Sequence, residues 1–260
     1  VSESTKPSDG AKTLRKANVC APDSFGVEVN FFGKELTEIL VGISPAAISQ
    51  ANSEVLDSAG IITAFQARGY NLCLPKQVHG AAVVNALFEG LRPEADAVIV
   101  ERSALLKKSD SPTKIIGIIT ADCAPVVLCT KNKIALIHAG WRGLAARILS
   151  LAANALGEKI THCAIGPNAT GSYEVGEEVI AAIGTTAVFT HAEKTMLDLT
   201  KTALKELAPF LGTAEIWSSK ICTMADTGFY SYRREGKNAG RNLTVVSGVS
   251  LRDGGAPAAL

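Results

Sequence analysis

The chain has 260 residues, 47% of them apolar, and a net charge of +1. That is enough apolar material for one large core, and the balanced charge gives no electrostatic case for nucleic acid or an anionic membrane surface. Aromatic residues make up 5%, too few for a base-stacking platform.

Residues 1–16 are polar and lack the apolar stretch of a signal peptide, so they read as a flexible tail. Residues 252–260, rich in Gly, Ala and Pro, read as a second flexible tail. Between them, 17–251 shows neither an internal repeat nor a linker and is expected to be a single domain. Strands are predicted at 26–32, 81–84, 97–100, 114–120, 126–129, 133–138, 161–165, 214–218 and 243–249. Helices are predicted at 45–59, 143–156, 176–183 and 194–211. The runs IIGIIT (115–120) and IALIHA (134–139) are apolar on both faces, so both faces of their sheets should be covered. Some strands follow one another directly and others are separated by helices, which predicts an α+β fold with mixed sheets. No apolar run is long enough to span a membrane. Six cysteines, at 20, 73, 123, 129, 163 and 222, form no CxxC pair or disulfide framework, which fits a reducing cytoplasm. The sequence does not determine the oligomeric state; a monomer is favoured.

Five segments carry chemistry. His79 in KQVHG, Cys123 in TADC and His138 in HAGWRG lie at or near the ends of apolar runs. Two imidazoles and one thiolate can hold a single zinc and leave a coordination position free, the pattern of a catalytic site. The same residues also allow a thiolate nucleophile, with Cys123 activated by His138 and oriented by Asp122 or Asn168. Taken one by one, each could equally be an ordinary core residue. The turn Gly140–Gly143, with Arg142 at the start of a helix, is a candidate oxyanion cradle, or else a plain strand-to-helix turn. The loop 165–176, small and polar, could wall a pocket with Tyr173 stacked on a ring. The basic aromatic stretch 227–241, which contains Arg233, could touch phosphate or sugar, or be a solvated hairpin.

KQVHG, TADC, HAGWRG, the IGP…YEVG segment and FYSYRR…GR, in this order, resemble the YfiH family, once called DUF152. The resemblance runs from about residue 74 to about residue 249. Members go under three names: purine nucleoside phosphorylase, polyphenol oxidase (laccase) and peptidoglycan editing factor. The resemblance implies a four-layer α/β/β/α sandwich similar to the catalytic domain of the cytotoxic necrotizing factors. It implies zinc on His79, Cys123 and His138. Asp122 is then the expected proton donor to the departing purine, or else the residue that holds a zinc ligand in place. Gln77, Gly140, Arg142, Asn168, Tyr173 and Arg233 are the expected substrate contacts. The implied partners are purine nucleosides and phosphate: phosphorolysis of adenosine, inosine, guanosine and methylthioadenosine, and deamination of adenosine to inosine. Alternatives are an amidase that edits peptidoglycan precursors through Cys123 or zinc, a copper-dependent polyphenol oxidase, and a non-catalytic binder. Four histidines are too few for a multicopper centre, although copper can replace zinc on such ligands. The chain departs from the family pattern in its first sixty residues: no Thr-x-Arg-x-Gly-Gly segment is found, Ser53 follows Asn52 where an Arg is usual, and Asn168 stands where Cys is common after IGP.

Overall fold

The computed structural model describes residues 18–34, 58–88, 90, 92–106, 111–171, 173–184 and 188–248. Both predicted tails, the Asn52–Ser53 pair and residues 45–57 of the first predicted helix lie outside the described residues. Among the described residues no helix is long and apolar enough to cross a membrane.

Two mixed sheets form the centre. The five-stranded sheet has the order β1 (Asn18–Cys20), β2 (Glu28–Phe32), β14 (Asn242–Ser247), β6 (Thr113–Thr120) and β3 (Tyr70–Cys73), with only β3 and β6 parallel. The six-stranded sheet has the order β13 (Glu215–Ser218), β9 (His162–Ile165), β7 (Ala124–Cys129), β8 (Lys133–Ala139), β5 (Ala97–Glu101) and β4 (Val83–Asn85). Its edge pairs β13–β9 and β4–β5 are parallel and its inner pairs antiparallel. A small antiparallel sheet of β10 (Tyr173–Glu174), β12 (Lys194–Leu197) and β11 (Val188–His191) lies apart from both.

Strand alternation builds the layers. In β7 every residue is buried, but successive side chains leave on opposite faces. Val126 and Leu128 join a cluster with Ile148, Leu149, Ala152 and Leu207 of the covering helices. Val127 and Cys129 join a second cluster with Phe31, Ile116, Ile118 and Val246 of the other sheet. The five-stranded sheet repeats the device, with Leu243 and Val245 facing Ile61 and Phe65 of the opposite helix. The covering helices are α1 (Ser58–Gln66) on one side, and α3 (Ile148–Leu156) and α5 (Leu199–Leu211) on the other. The result is an α/β/β/α sandwich, completed by the short helices α2 (Trp141–Ala145), α4 (Glu177–Ile183) and α6 (Tyr232–Glu235).

Three expectations need correction. The helix predicted at 143–156 is two helices, broken where Arg147 takes a left-handed φ of 63°. The break lets α2 turn toward the His79 loop, with Gly143 close against the Gly80 carbonyl, while α3 buries Ile148, Leu149 and Ala152 on the sheet. The helix predicted at 194–211 begins at Leu199, where the Asp198 carboxylate caps it by accepting from the Lys201 amide. Residues 194–197 pair instead as β12. Strands β1, β3, β10, β11 and β12 were not anticipated, being only two to four residues long.

The two sheets press together hardest at Gly166, where a Cβ would lie 2.2 Å from the Phe31 ring, itself stacked on Trp217. Gly166→Ala should therefore lower stability by about 1–3 kcal/mol through overpacking. Gly176→Ser, with nothing within 4 Å and at a helix N-cap that serine also suits, should stay within about 0.5 kcal/mol. Urea unfolding of the two variants checks the contrast.

Candidate metal centre

All three predicted ligands stand where the two sheets meet. β6 of one sheet ends at Thr120 and β7 of the other begins at Ala124, so the chain crosses between sheets in three residues. Asp122 makes the crossing with a left-handed φ of 89°, and Cys123 follows it. His138 is the penultimate residue of β8, opposite Pro125 of β7. His79 lies in the connection from β3 to β4, with a φ of 58°.

That connection is fastened to both sheets. Gln77 accepts from the Ile119 amide at 2.8 Å and donates to the Ile119 carbonyl at 2.7 Å, replacing a strand partner at the edge of β6. Asp96, fully buried at the entry to β5, accepts from the amides of Val78, His79 and Gly80 at 3.3, 3.0 and 2.7 Å. The same carboxylate meets Nδ1 of His138 at 2.8 Å. One group thus shapes the His79 loop and fixes the His138 ring with Nδ1 protonated, leaving Nε2 as the donor.

The ligand atoms of His79, Cys123 and His138 all lie within 4.8 Å of one another. The two imidazole rings meet edge to face with centroids 4.8 Å apart. Gly140 lies directly beneath: a Cβ there would sit 2.8 Å from the Cys123 sulfur. His138 is buried, Cys123 half-buried and His79 exposed, so the set opens to solvent on one side only. Nitrogen and sulfur donors with a carboxylate behind one imidazole suit a metal ion, and the cluster could bind one.

Without a metal the electrostatics of the site favour a thiolate–imidazolium pair. Burial alone pushes the Cys123 thiol up, but the charge and hydrogen bond of His138, reinforced by His79, bring it down to about 6. Burial pulls His138 down, but the Cys123 thiolate and the Asp96 carboxylate raise it to about 9. Asp96 is held below the usual carboxylate range: burial opposes this, and the His138 bond and the Gly80 and Val78 amides outweigh it. Elsewhere burial dominates and pushes Cys129 up to about 11 and Cys163 up to about 12.

The other predicted residues divide into two groups. Gln77 is committed to Ile119, as above. Asn168 is 1% exposed and donates to the Gly166 carbonyl and the Thr200 hydroxyl, so it shapes its loop from inside. Gly140 makes room for Cys123. Asp122 gathers three segments: its carbonyl accepts from Ala169, and its carboxylate accepts from the Thr223 hydroxyl at 2.7 Å and the Arg233 amide at 2.8 Å. Tyr173 and Arg233, 60 residues apart in sequence, come together, with the guanidinium 4.5 Å from the ring centroid. Arg142 stacks on Trp141 at 4.1 Å and reaches Glu178 at 3.4 Å. Asp96 is the group that sequence reasoning missed. Its one signal was an acid set immediately before the apolar run AVIV (97–100), an expensive place for an unpaired carboxylate.

An α/β/β/α sandwich with an open His–Cys–His centre at the junction of its sheets is the class that fold and site define. The chain belongs to the family described as multi-copper polyphenol oxidoreductase laccase, of the DUF152 or YfiH type, whose profile matches residues 41–248. The purine nucleoside phosphorylase YfiH of Shigella flexneri is 33% identical over 186 residues, 66% of this chain and 71% of that one. A purine nucleoside phosphorylase of Deinococcus radiodurans is 34% identical over 68% of this chain and 70% of its own. The adenosine deaminase RL5, from an unknown prokaryotic organism, is 31% identical over 68% of this chain and 74% of its own. Among solved structures, a Neisseria meningitidis DUF152 protein aligns with a TM-score of 0.67 at 25% identity, covering 89% of this chain and 99% of its own. A Bacillus licheniformis YfiH protein shares the fold at TM-score 0.67 and 17% identity, over 91% and 98% of the two chains.

Asp96→Asn should weaken metal binding by about 10- to 100-fold, measured by competition with a chelator. In metal-free protein, alkylation of Cys123 should follow a thiolate appearing at about pH 6; a midpoint near 9 would mean that the pair does not form. The stability contribution of Cys123, whose pKa is depressed, is complete above its ordinary 9.0 and lost as pH falls through about 6. That of His138, whose pKa is raised, is complete below its ordinary 6.5 and lost as pH rises through about 9. The folded pair binds one proton between about 6 and 9 and the unfolded pair one proton between 6.5 and 9.0, so folding moves the proton without net uptake. Reactivity should therefore rise around pH 6 and then level off, while the stability due to the pair stays flat between 6.5 and 9, a contrast that alkylation and denaturation at several pH values would check.

Proposed function

We propose that this chain is a zinc-dependent purine nucleoside enzyme that cleaves nucleosides with phosphate and deaminates adenosine. The observation that carries this reading is the three-donor centre, closed by protein behind His138 and open beside His79. Two imidazoles and a thiolate suit zinc with a fourth position left for water or substrate. Bound there, zinc would supply a Lewis acid and an activated water. The names of the relatives, purine nucleoside phosphorylase and adenosine deaminase, support the same two reactions.

The residues around the centre have separate parts in this reading. His79, Cys123 and His138 hold the ion, and Asp96 keeps His138 in the tautomer that can do so. Both Asp122 oxygens already accept hydrogen bonds, so its part is to hold the surrounding loops rather than to donate a proton to the departing purine. Tyr173 has a half-exposed ring with Arg233 over one face, which leaves the other face for a purine.

Copper oxidation is the second reading, favoured by the description of the family and by donors that also suit copper. A cluster of several coppers finds no further imidazoles at the centre. His162 packs on Phe25 with centroids 4.9 Å apart and lies 3.8 Å from Glu215, and His191 is in β11.

The test is chromatography of products from adenosine and zinc-loaded protein, with and without phosphate. Adenine and ribose 1-phosphate should appear only with phosphate, and inosine with or without it. No turnover by zinc-loaded protein would sink the reading, and oxidation of a phenol by the copper-loaded form alone would favour the second. Cys123→Ala should lose both zinc retention and turnover.

A further inference from the structure

We propose that Arg233, rather than Arg142, binds the phosphate co-substrate. The assignment takes its ligand from the phosphorolysis reading above, but its binding test does not depend on turnover.

Arg142 looked the better candidate in sequence because it follows the Gly140 turn. In the fold its guanidinium already has an acid at 3.4 Å, Glu178, and stacks on Trp141. A carboxylate at the fork neutralises the charge and competes with an incoming oxyanion.

Arg233 is placed differently. Its amide donates to Asp122 at 2.8 Å, and Asp122 directly precedes the ligand Cys123, so the backbone of Arg233 is anchored beside the centre. Its side chain is exposed and lies over Tyr173 at 4.5 Å. Among the described residues no carboxylate pairs with it. The adjacent Arg234 has the opposite role: it donates to the carbonyls of Thr223, Met224, Asp226 and Phe229 and to Glu235. Of two consecutive arginines, one folds the loop and the other is presented by it. Stacking on Tyr173 narrows the rotamers of a long side chain, so less freedom is lost when the fork closes on a ligand. A planar, permanently charged fork matches two oxygens of a phosphate. The fold thus presents an un-neutralised guanidinium, oriented on Tyr173, from a backbone tied to the residue before Cys123, and the reading requires an oxyanion site.

The experiment is calorimetric titration of zinc-loaded protein with inorganic phosphate, using the wild type, Arg233→Gln, Arg233→Lys, Arg142→Gln and Tyr173→Leu. Zinc content and thermal midpoint establish that each variant is folded. Arg233→Gln should weaken phosphate binding at least tenfold, Arg233→Lys by less, Tyr173→Leu a few-fold and Arg142→Gln less than threefold. In turnover, Arg233→Gln should raise the phosphate KM at least tenfold, with a much smaller change in kcat at saturating phosphate. The assignment is overturned if Arg233→Gln binds phosphate as the wild type does, if Arg142→Gln carries the loss, or if the wild type binds none. Phosphate bound through Arg233 without adenosine cleavage would leave the site standing and remove the phosphorylase reading. Phosphate-dependent cleavage with an unchanged KM in Arg233→Gln would do the reverse.

Discussion

The carboxylate of Asp96 is out of contact with water and surrounded by donors. Three successive amides of the His79 loop and one nitrogen of His138 converge on it. A buried carboxylate is tolerated only when its charge is met in this way. Here the groups that meet it are the backbone of the His79 loop and the ring of His138, two of the three candidate ligand positions, so stabilising the acid and assembling the centre are one event. The left-handed φ of His79, costly for a residue with a Cβ, is held by the same bonds.

Asp122 does for the loops that follow the sheets what Asp96 does for the His79 connection. It sits at the crossing between the sheets, and its backbone and side chain together gather the loops that carry Ala169, Thr223 and Arg233. Long loops bring functional groups to a site only when something rigid fixes their ends. The rigid part is the pair of packed sheets, with β7 and β8 buried along nearly their whole length. Tyr173 and Arg233, which no sequence spacing relates, meet as a consequence.

Chemistry at the centre follows from its uneven burial. His138 and Asp96 lie inside, where the dielectric is low and a thiolate–imidazolium pair is strong. His79 lies outside, exposed to solvent. The other cysteines with shifted thiols, Cys73, Cys129 and Cys163, are buried and held toward the neutral form. Cys123 differs because two histidines face it, a difference of neighbours rather than of residue type.

The sequence by itself determined the apolar strands and their two-faced burial, because alternation with period two is a local property that survives any packing. It also singled out His79, Cys123 and His138, because unusual residues stood at the ends of those strands. It misjudged what depends on partners. Residues 194–197 became a strand because 188–191 lay alongside to pair with them, and the helix at 143–156 broke because its first turn had to meet the His79 loop. Asp96 was invisible as a site residue: its meaning lies in four donors brought from 16 to 42 positions away. The choice between Arg142 and Arg233 likewise waited on the fold. What a guanidinium can bind is set by whether an acid already stands beside it, and only tertiary structure brings Glu178 to Arg142 and leaves Arg233 on the face of Tyr173.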